Sequence, residues 1–477
     1  MKVRYASEIA GRKADTLVFG VFEGLKDLMD KDAEQLKSLG FKGKVGETVT
    51  LPGEGSFKSV VYVGLGKKGD VDLEKVRVAT AKGIRAAEKS GAKKVVVDFP
   101  EVERLGGKEA KAIAEGVIIG AYKFSKYKKE EGSKLKEIVV AGKKEFKEEF
   151  EEGRIFAEAV NFVRDLVNEP GNVITPEKLA EVSEELAARY GFECKVFDEE
   201  ALEKEEMVGI LTVGRGSKNP PRFIHLSYKP KKPKKRVVLV GKGVTFDSGG
   251  LNIKPEQFMK TMKSDKAGAC AVLGIMKVVG EVKPDVEVHA LIPTVENMPD
   301  GKAYRPDDII VYKNGVSVEV HSTDAEGRLI LADALIYGSE LEPDVMIDMA
   351  TLTGACVVAL GHYTSGLFTE DDRLANKLLK VSKETGEKLW CMPLDEDLKE
   401  DIKGTYADVQ NVGKTRYGGA ITAALFLQKF VDSKKVKSWA HIDIAGPAFL
   451  DREWKYYAPG ATGQPVRTVA EAIIKGE

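Results

Sequence analysis

Residues 236–250 read RVVLVGKGVTFDSGG. Val237-Val238-Leu239-Val240 is a run of branched aliphatics with no polar face, which predicts a strand buried on both sides. The strand empties into Gly241-Lys242-Gly243-Val244-Thr245-Phe246-Asp247-Ser248-Gly249-Gly250. Its glycines let backbone come close to a bound group, and one lysine and one aspartate stand where the strand ends. In open α/β sheets ligands bind outside the carboxyl ends of the strands.

Working outward, 477 residues with 43% hydrophobic content can bury large cores, and ordinary domain sizes predict two domains. Lys+Arg of 74 against Asp+Glu of 75 leaves a net charge of -1, so no global field draws the chain to nucleic acid or to an anionic membrane. The opening MKVRYASEIAGRKAD lacks the apolar core of a signal peptide, and no run approaches the ~20 apolar residues of a membrane helix. A soluble, cytoplasmic protein is expected. Cys194, Cys270, Cys356 and Cys391 lie far apart with no C-x-x-C, against a zinc knuckle or a disulfide framework.

Residues 1–150 alternate short aliphatic runs with amphipathic patterns and read as a first α/β domain. Strands are predicted over 17–22, 59–63, 94–98 and 138–140, and a helix over 73–89. Gly64-Leu65-Gly66-Lys67-Lys68-Gly69 matches the GxGxxG dinucleotide fingerprint, but Asp70 and Asp72 would cap the next helix and repel phosphate, so it reads as a strand–helix turn. A charged helix, 151–166, connects to a second domain over 167–477, opened by the turn-rich Val167-Asn168-Glu169-Pro170-Gly171-Asn172. There the expected fold is a mostly parallel or mixed central sheet flanked by helices at 176–190, 266–280, 326–338, 374–385 and 420–431, with strands at 194–197, 286–292, 308–312, 345–349 and 439–444. Lys229 to Arg236 holds six positive charges and two prolines; with no base-reading motif beside it, it reads as a solvated hairpin tip rather than a nucleic-acid contact.

The chemistry lies at the sheet edge. Lys242 and Asp247 follow the first strand, Asp265 starts a helix, and Asp324 stands just before another helix, whose first turn holds Glu326. Four carboxylates converging in a cleft repel each other unless cations neutralise them, and four negative charges match two divalent ions. Carboxylates with one nitrogen donor suit manganese, zinc, cobalt or magnesium. Lys254 and Arg328 remain as cations free to meet charge developing on a substrate. Standing alone, Asp324 and Glu326 read equally well as helix caps.

At Ser322-Thr323-Asp324-Ala325-Glu326-Gly327-Arg328-Leu329 the chain differs only in its first residue from NTDAEGRL, and here it resembles the leucyl aminopeptidase (cytosol aminopeptidase) family of dinuclear metallopeptidases. GKGVTFDSGG, Met262-Lys263-Ser264-Asp265, Glu296-Asn297-Met298-Pro299, Arg305-Pro306, Thr351-Leu352-Thr353-Gly354-Ala355, the segment Trp439 to Gly446 and Gly460-Ala461-Thr462-Gly463 follow in the family's order, so the resemblance spans about residues 160 to 470. It implies one metal on Lys242, Asp247, Asp265 and Glu326 and another on Asp247, Asp324 and Glu326. A water activated between them attacks the peptide carbonyl, Lys254 polarises that carbonyl, and Arg328 holds a bicarbonate general base. It further implies binding of the substrate's free amine to a metal, a first-residue pocket lined by Met262, Thr351 and Gly354 that suits leucine and similar apolar side chains, and a homohexamer. Manganese is the first expectation for the metal. His321 and His441 are read as packing or supporting residues, and Cys270 and Cys356 as buried small residues. Two other classes stay open: a dinuclear phosphoester hydrolase, and DNA binding through the basic tip.

Overall fold

The structure is a computed structural model and describes residues 1–7, 14–26, 28–100, 102, 105–129 and 132–475. Residues 8–13, part of the stretch read for a leader, lie outside that set. The chain divides into two compact units: Met1–Asn161 with Glu384–Gly386 and Asp451–Pro459, and Phe162–Lys383 with Glu387–Leu450 and Gly460–Glu477. Both are α/β.

Among the described residues the first unit holds a six-stranded sheet of β1 (Lys2–Ala6), β2 (Thr16–Phe22), β3 (Thr48–Pro52), β4 (Ser59–Gly66), β5 (Lys94–Asp98) and β6 (Glu137–Ala141), ordered β1-β6-β5-β2-β4-β3. All neighbours are parallel except β3 on β4. The aliphatic runs mark the four inner strands. The edges β1 and β3 keep side chains in solvent and carry no such run, which is why periodicity does not find them. The Gly64–Gly69 segment is a strand–helix turn: β4 runs through Gly66, and Asp72 caps the helix Leu73–Lys89 by accepting from the Lys75 N–H at 2.8 Å. Gly64 serves packing, since a Cβ there would lie 2.0 Å from the Lys44 carbonyl oxygen.

In the second unit β7 (Glu193–Phe197), β8 (Arg222–Tyr228), β9 (Arg236–Gly241), β10 (Gly243–Asp247), β11 (Glu287–Asn297), β14 (Val345–Ala350), β15 (Thr364–Phe368), β16 (Lys388–Cys391) and β18 (Trp439–Asp443) form one mixed sheet. Its order is β16-β15-β18-β14-β9-β11-β8-β7, with β10 also on β11. The small strands β12 (Ile309–Val311), β13 (Ser317–Glu319) and β17 (Val409–Gln410) make a separate sheet. The centre, β11-β9-β14-β18, is parallel, and antiparallel pairings appear only toward the edges. Val237, Val238, Leu239 and Val240 are each 0% exposed, worth roughly 1.5–3 kcal/mol apiece in burial. Val238 and Val240 join a core with Leu329, Ile330 and Leu331 of the helix Glu326–Glu340. The helix Ala267–Val282 also packs on β9, β11 and β14. It comes so close that a Cβ on Gly268 would lie 2.1 Å from the Met349 carbonyl oxygen.

One expectation needs correction. Lys229–Arg236 is not a hairpin tip, because β11 lies between β8 and β9, antiparallel to the first and parallel to the second. The segment crosses over one strand end, and its charges are partly met locally, Lys229 by Glu193 and Lys234 by Asp285, each at 3.4 Å.

Candidate metal centre

Three connections bring the predicted donors together at the carboxyl ends of the central strands. Lys242 is the single residue between β9 and β10, and Asp247 ends β10. Asp265 lies in the 3-10 turn Met262–Lys266 that leads into the helix Ala267–Val282, and Glu326 is the first residue of its own helix. Asp247, Asp265 and Glu326 are buried and offer carboxylate oxygens that all lie within 4.8 Å of one another. The Lys242 Nζ is 2.8 Å from Asp265 and 2.9 Å from Glu326, and it donates to the Thr351 carbonyl at 3.0 Å. Asp324, with a side chain 37% exposed, is linked to the buried group through Lys254, whose Nζ is 2.8 Å from Asp247 Oδ2 and 2.6 Å from Asp324 Oδ1. Arg328 is buried and donates through Nη1 to the Asn411 carbonyl at 2.6 Å; its Nε has no hydrogen-bond partner.

The electrostatics show why such a group calls for a cation. Burial, then the charges of Glu326 and Asp265, push the Asp247 carboxyl up to about 8. Burial likewise raises Asp265 to about 6, with Lys242 opposing and Glu326 adding to the rise. Glu326 is held below the ordinary range, because Lys242 and Lys254 outweigh the effect of its burial. Both lysines are raised although burial opposes it: Asp265 and Glu326 hold Lys242 charged, and Asp247 and Glu326 hold Lys254 charged. Acids this close and this buried resist full ionisation next to ammonium groups alone, and Glu326 Oε2 is buried without a hydrogen-bond partner. Four carboxylates, with the Lys242 amine once neighbouring dications displace its proton, are a donor set for hard-to-borderline divalent cations, so the residues fit such ions.

Of the proposed pocket residues, Thr351 and Met262 meet this turn. Thr351 Oγ1 donates to Asp265 Oδ1 at 2.7 Å, Met262 opens the 3-10 turn, and Gly354 begins the helix Gly354–Leu360 with nothing within 4 Å of where a Cβ would stand. The histidines stay outside the carboxylate group. His321 is exposed, and buried His441 bonds Asp348 through Nδ1. Burial pushes the Cys270 and Cys356 thiols up to about 12, which leaves them inert.

Two supports escaped sequence reading. Asn411 accepts the His321 and Ser322 N–H groups on its side chain, at 2.8 and 3.2 Å, while its carbonyl holds Arg328. Asp443 accepts from Leu352 N, Ala445 N and Thr353 Oγ1, and so shapes the loop that carries Thr351 and Gly354. Asp443 lies in a quoted motif and could have been suspected; Asn411 has no local signal.

Buried acids and a lysine at the carboxyl ends of parallel strands define a metal-binding enzyme of the α/β class. Residues 161–470 match the cytosol aminopeptidase family, catalytic domain, and residues 23–131 match its N-terminal domain. A probable cytosol aminopeptidase of Persephonella marina is 52% identical over 476 residues, 98% of this chain and 95% of that one. One of Aquifex aeolicus is 50% identical over 490 residues, 100% of this chain and 98% of the other. Among solved structures, a tomato leucine aminopeptidase mutant superposes with a TM-score of 0.91 at 34% identity, covering 100% and 97% of the two chains. The bottromycin maturation enzyme BotP in complex with Mn gives 0.89 at 36%, covering 96% and 99%. The chain belongs to the cytosol aminopeptidase family and is a metal-dependent aminopeptidase.

Proposed function

We propose that this enzyme is an exopeptidase that releases N-terminal residues, leucine and similar apolar ones preferentially, from peptides with a free amino terminus. The observation that carries this reading is the buried convergence of Asp247, Asp265 and Glu326 on Lys242, with Asp324 joined through Lys254. Two divalent cations would be held by Lys242, Asp247, Asp265, Asp324 and Glu326, with Asp247 and Glu326 serving both; the Mn carried by the BotP structure supports manganese first, with zinc or cobalt as alternatives. Bound cations supply Lewis acidity and acidify a water near neutral pH. The chain's own residues do the rest. Lys254, kept charged by its carboxylate neighbours, meets the negative charge growing on the scissile carbonyl oxygen. Burial brings Arg328 down to about 10, so it stays cationic at neutral pH, and its unpartnered Nε supports a role in holding a small anion such as bicarbonate as general base. Met262, Thr351 and Gly354 border the site of the first side chain, with open space at Gly354. Catalysis is assigned to residues 167–477, the setting to the cytoplasm and the assembly to a homohexamer.

The test is hydrolysis of leucine-para-nitroanilide by chelated protein, before and after return of manganese, zinc or cobalt, with the N-acetylated substrate as control. Cleavage restored by metal and confined to the free-amine substrate is expected. Turnover of phosphoesters in its place would overturn the reading.

A further inference from the structure

Asn297, the last residue of β11, is 0% exposed and belongs to a segment, Glu296-Asn297-Met298-Pro299, to which the reaction assigns no task. Its register partner is Asp247. Between the pairs Val244–Val295 and Asp247–Asn297 the strand β10 carries one residue more than β11, and this irregularity sets the aspartate beside the asparagine. Asn297 Nδ2 then donates in two directions, to Asp247 Oδ1 at 2.8 Å and to the Thr323 carbonyl at 3.0 Å. Turning the amide over would set its oxygen against a carboxylate and a carbonyl, so the acceptors themselves fix its orientation. The Gly249 N–H is a second donor to the same Asp247 Oδ1, at 2.9 Å. With Oδ1 satisfied twice, Oδ2 is the oxygen that faces Lys254. Meanwhile Asn297 Oδ1 is buried without a hydrogen-bond partner. A residue serving only to fill space there would be apolar and avoid that cost.

We infer that Asn297 is a positioning residue of the metal centre: its amide locks Asp247 with Oδ2 turned toward the cations and ties the loop carrying Asp324 to the same strand end. The inference rests on the reading of Asp247 as a metal ligand. Groups that orient ligands of this kind change metal affinity roughly 10- to 100-fold when removed.

The experiment titrates metal-free protein with Mn²⁺ against a competing chelator, for the unaltered chain, Asp247→Asn, Asn297→Leu, Asn297→Ser and Tyr304→Phe, with thermal melts of each metal-free protein. Leucine keeps the volume of the amide, and serine keeps a smaller polar group should the leucine variant fail to fold. Tyr304 Oη also donates to the Thr323 carbonyl, at 2.7 Å, but not to Asp247, so its loss reports on the loop alone. The Asn297 variants are expected to raise the Mn²⁺ Kd about tenfold or more, with Tyr304→Phe within about threefold of the unaltered chain. Asn297 variants that bind as tightly as the unaltered chain, or a Tyr304→Phe loss as large as theirs, would overturn the inference while Asp247→Asn still loses metal. An Asp247→Asn variant that binds normally would instead remove the ligand reading and the inference with it.

Discussion

Lys242 and Lys254 both sit among carboxylates, yet they carry different assignments, and the contacts say how to separate them. Lys242 touches Asp265 and Glu326 in the buried group, whereas Lys254 spans Asp247 and the half-exposed Asp324. Asp324→Asn is expected to lower metal occupancy, measured by elemental analysis after dialysis. Lys254→Ala is expected to keep its metal and lose ~100- to 1,000-fold in kcat, the usual loss when a donor to developing charge is removed. Metal loss in the lysine variant would contradict its role. Gly354→Ala tests the pocket: with open space around the new methyl, stability should hold while the ratio of kcat/KM for leucine over smaller first residues shifts. Lys242 and Asp247 were legible because they follow directly from a buried strand, and Asp265, Asp324 and Glu326 because their motifs recur in a family. Asn411 was not legible, because it works through backbone contacts to a loop some ninety residues earlier.

Elements formed where local signals were strong. The helix Pro176–Tyr190 starts at Thr175, which accepts the Lys178 N–H at 3.2 Å, and ends at Gly191 with φ +74°. Both ends can be read from single residues. Thr175→Ala should cost about 1 kcal/mol in a denaturant titration. Gly268→Ala should cost ~2 kcal/mol or more, because the new methyl meets the backbone oxygen of Met349, which cannot rotate away. Nothing in the sequence around Gly268 announces that difference. The helix and β14 meet across some eighty residues of chain, and only their approach gives the glycine its task.

At the scale of the whole molecule, stability should depend on metal and on acid. A cation that binds the folded chain and not the unfolded one stabilises it by ~2.7 kcal/mol at a hundred times its Kd, so chelation should lower Tm and added Mn²⁺ restore it in a concentration-dependent way. His225 supplies part of the acid dependence. Burial, then the nearby His289 and Lys229, bring its imidazole down from 6.5 to about 4, and its Nε2 lies 2.8 Å from His289 Nδ1. A lowered folded-state value means this stability is in place above pH 6.5 and is lost as pH falls through about 4, by up to ~3 kcal/mol. His225→Gln should flatten that part of the pH dependence of unfolding by urea. The chain alone specified its longer periodic helices, the inner strands of its first sheet and the parallel centre of its second, its two α/β domains and its chemical class, because periodicity, caps and motif spacing act over a few residues and survive without a partner. Folding settled the edge strands β1 and β3, the placing of β11 between β8 and β9, the oxygen of Asp247 that faces Lys254 and the supports at Asn297, Asn411 and Asp443. Most of these depend on segments far apart in the chain meeting at angström distances, and contacts of that range leave no mark in any one stretch of sequence.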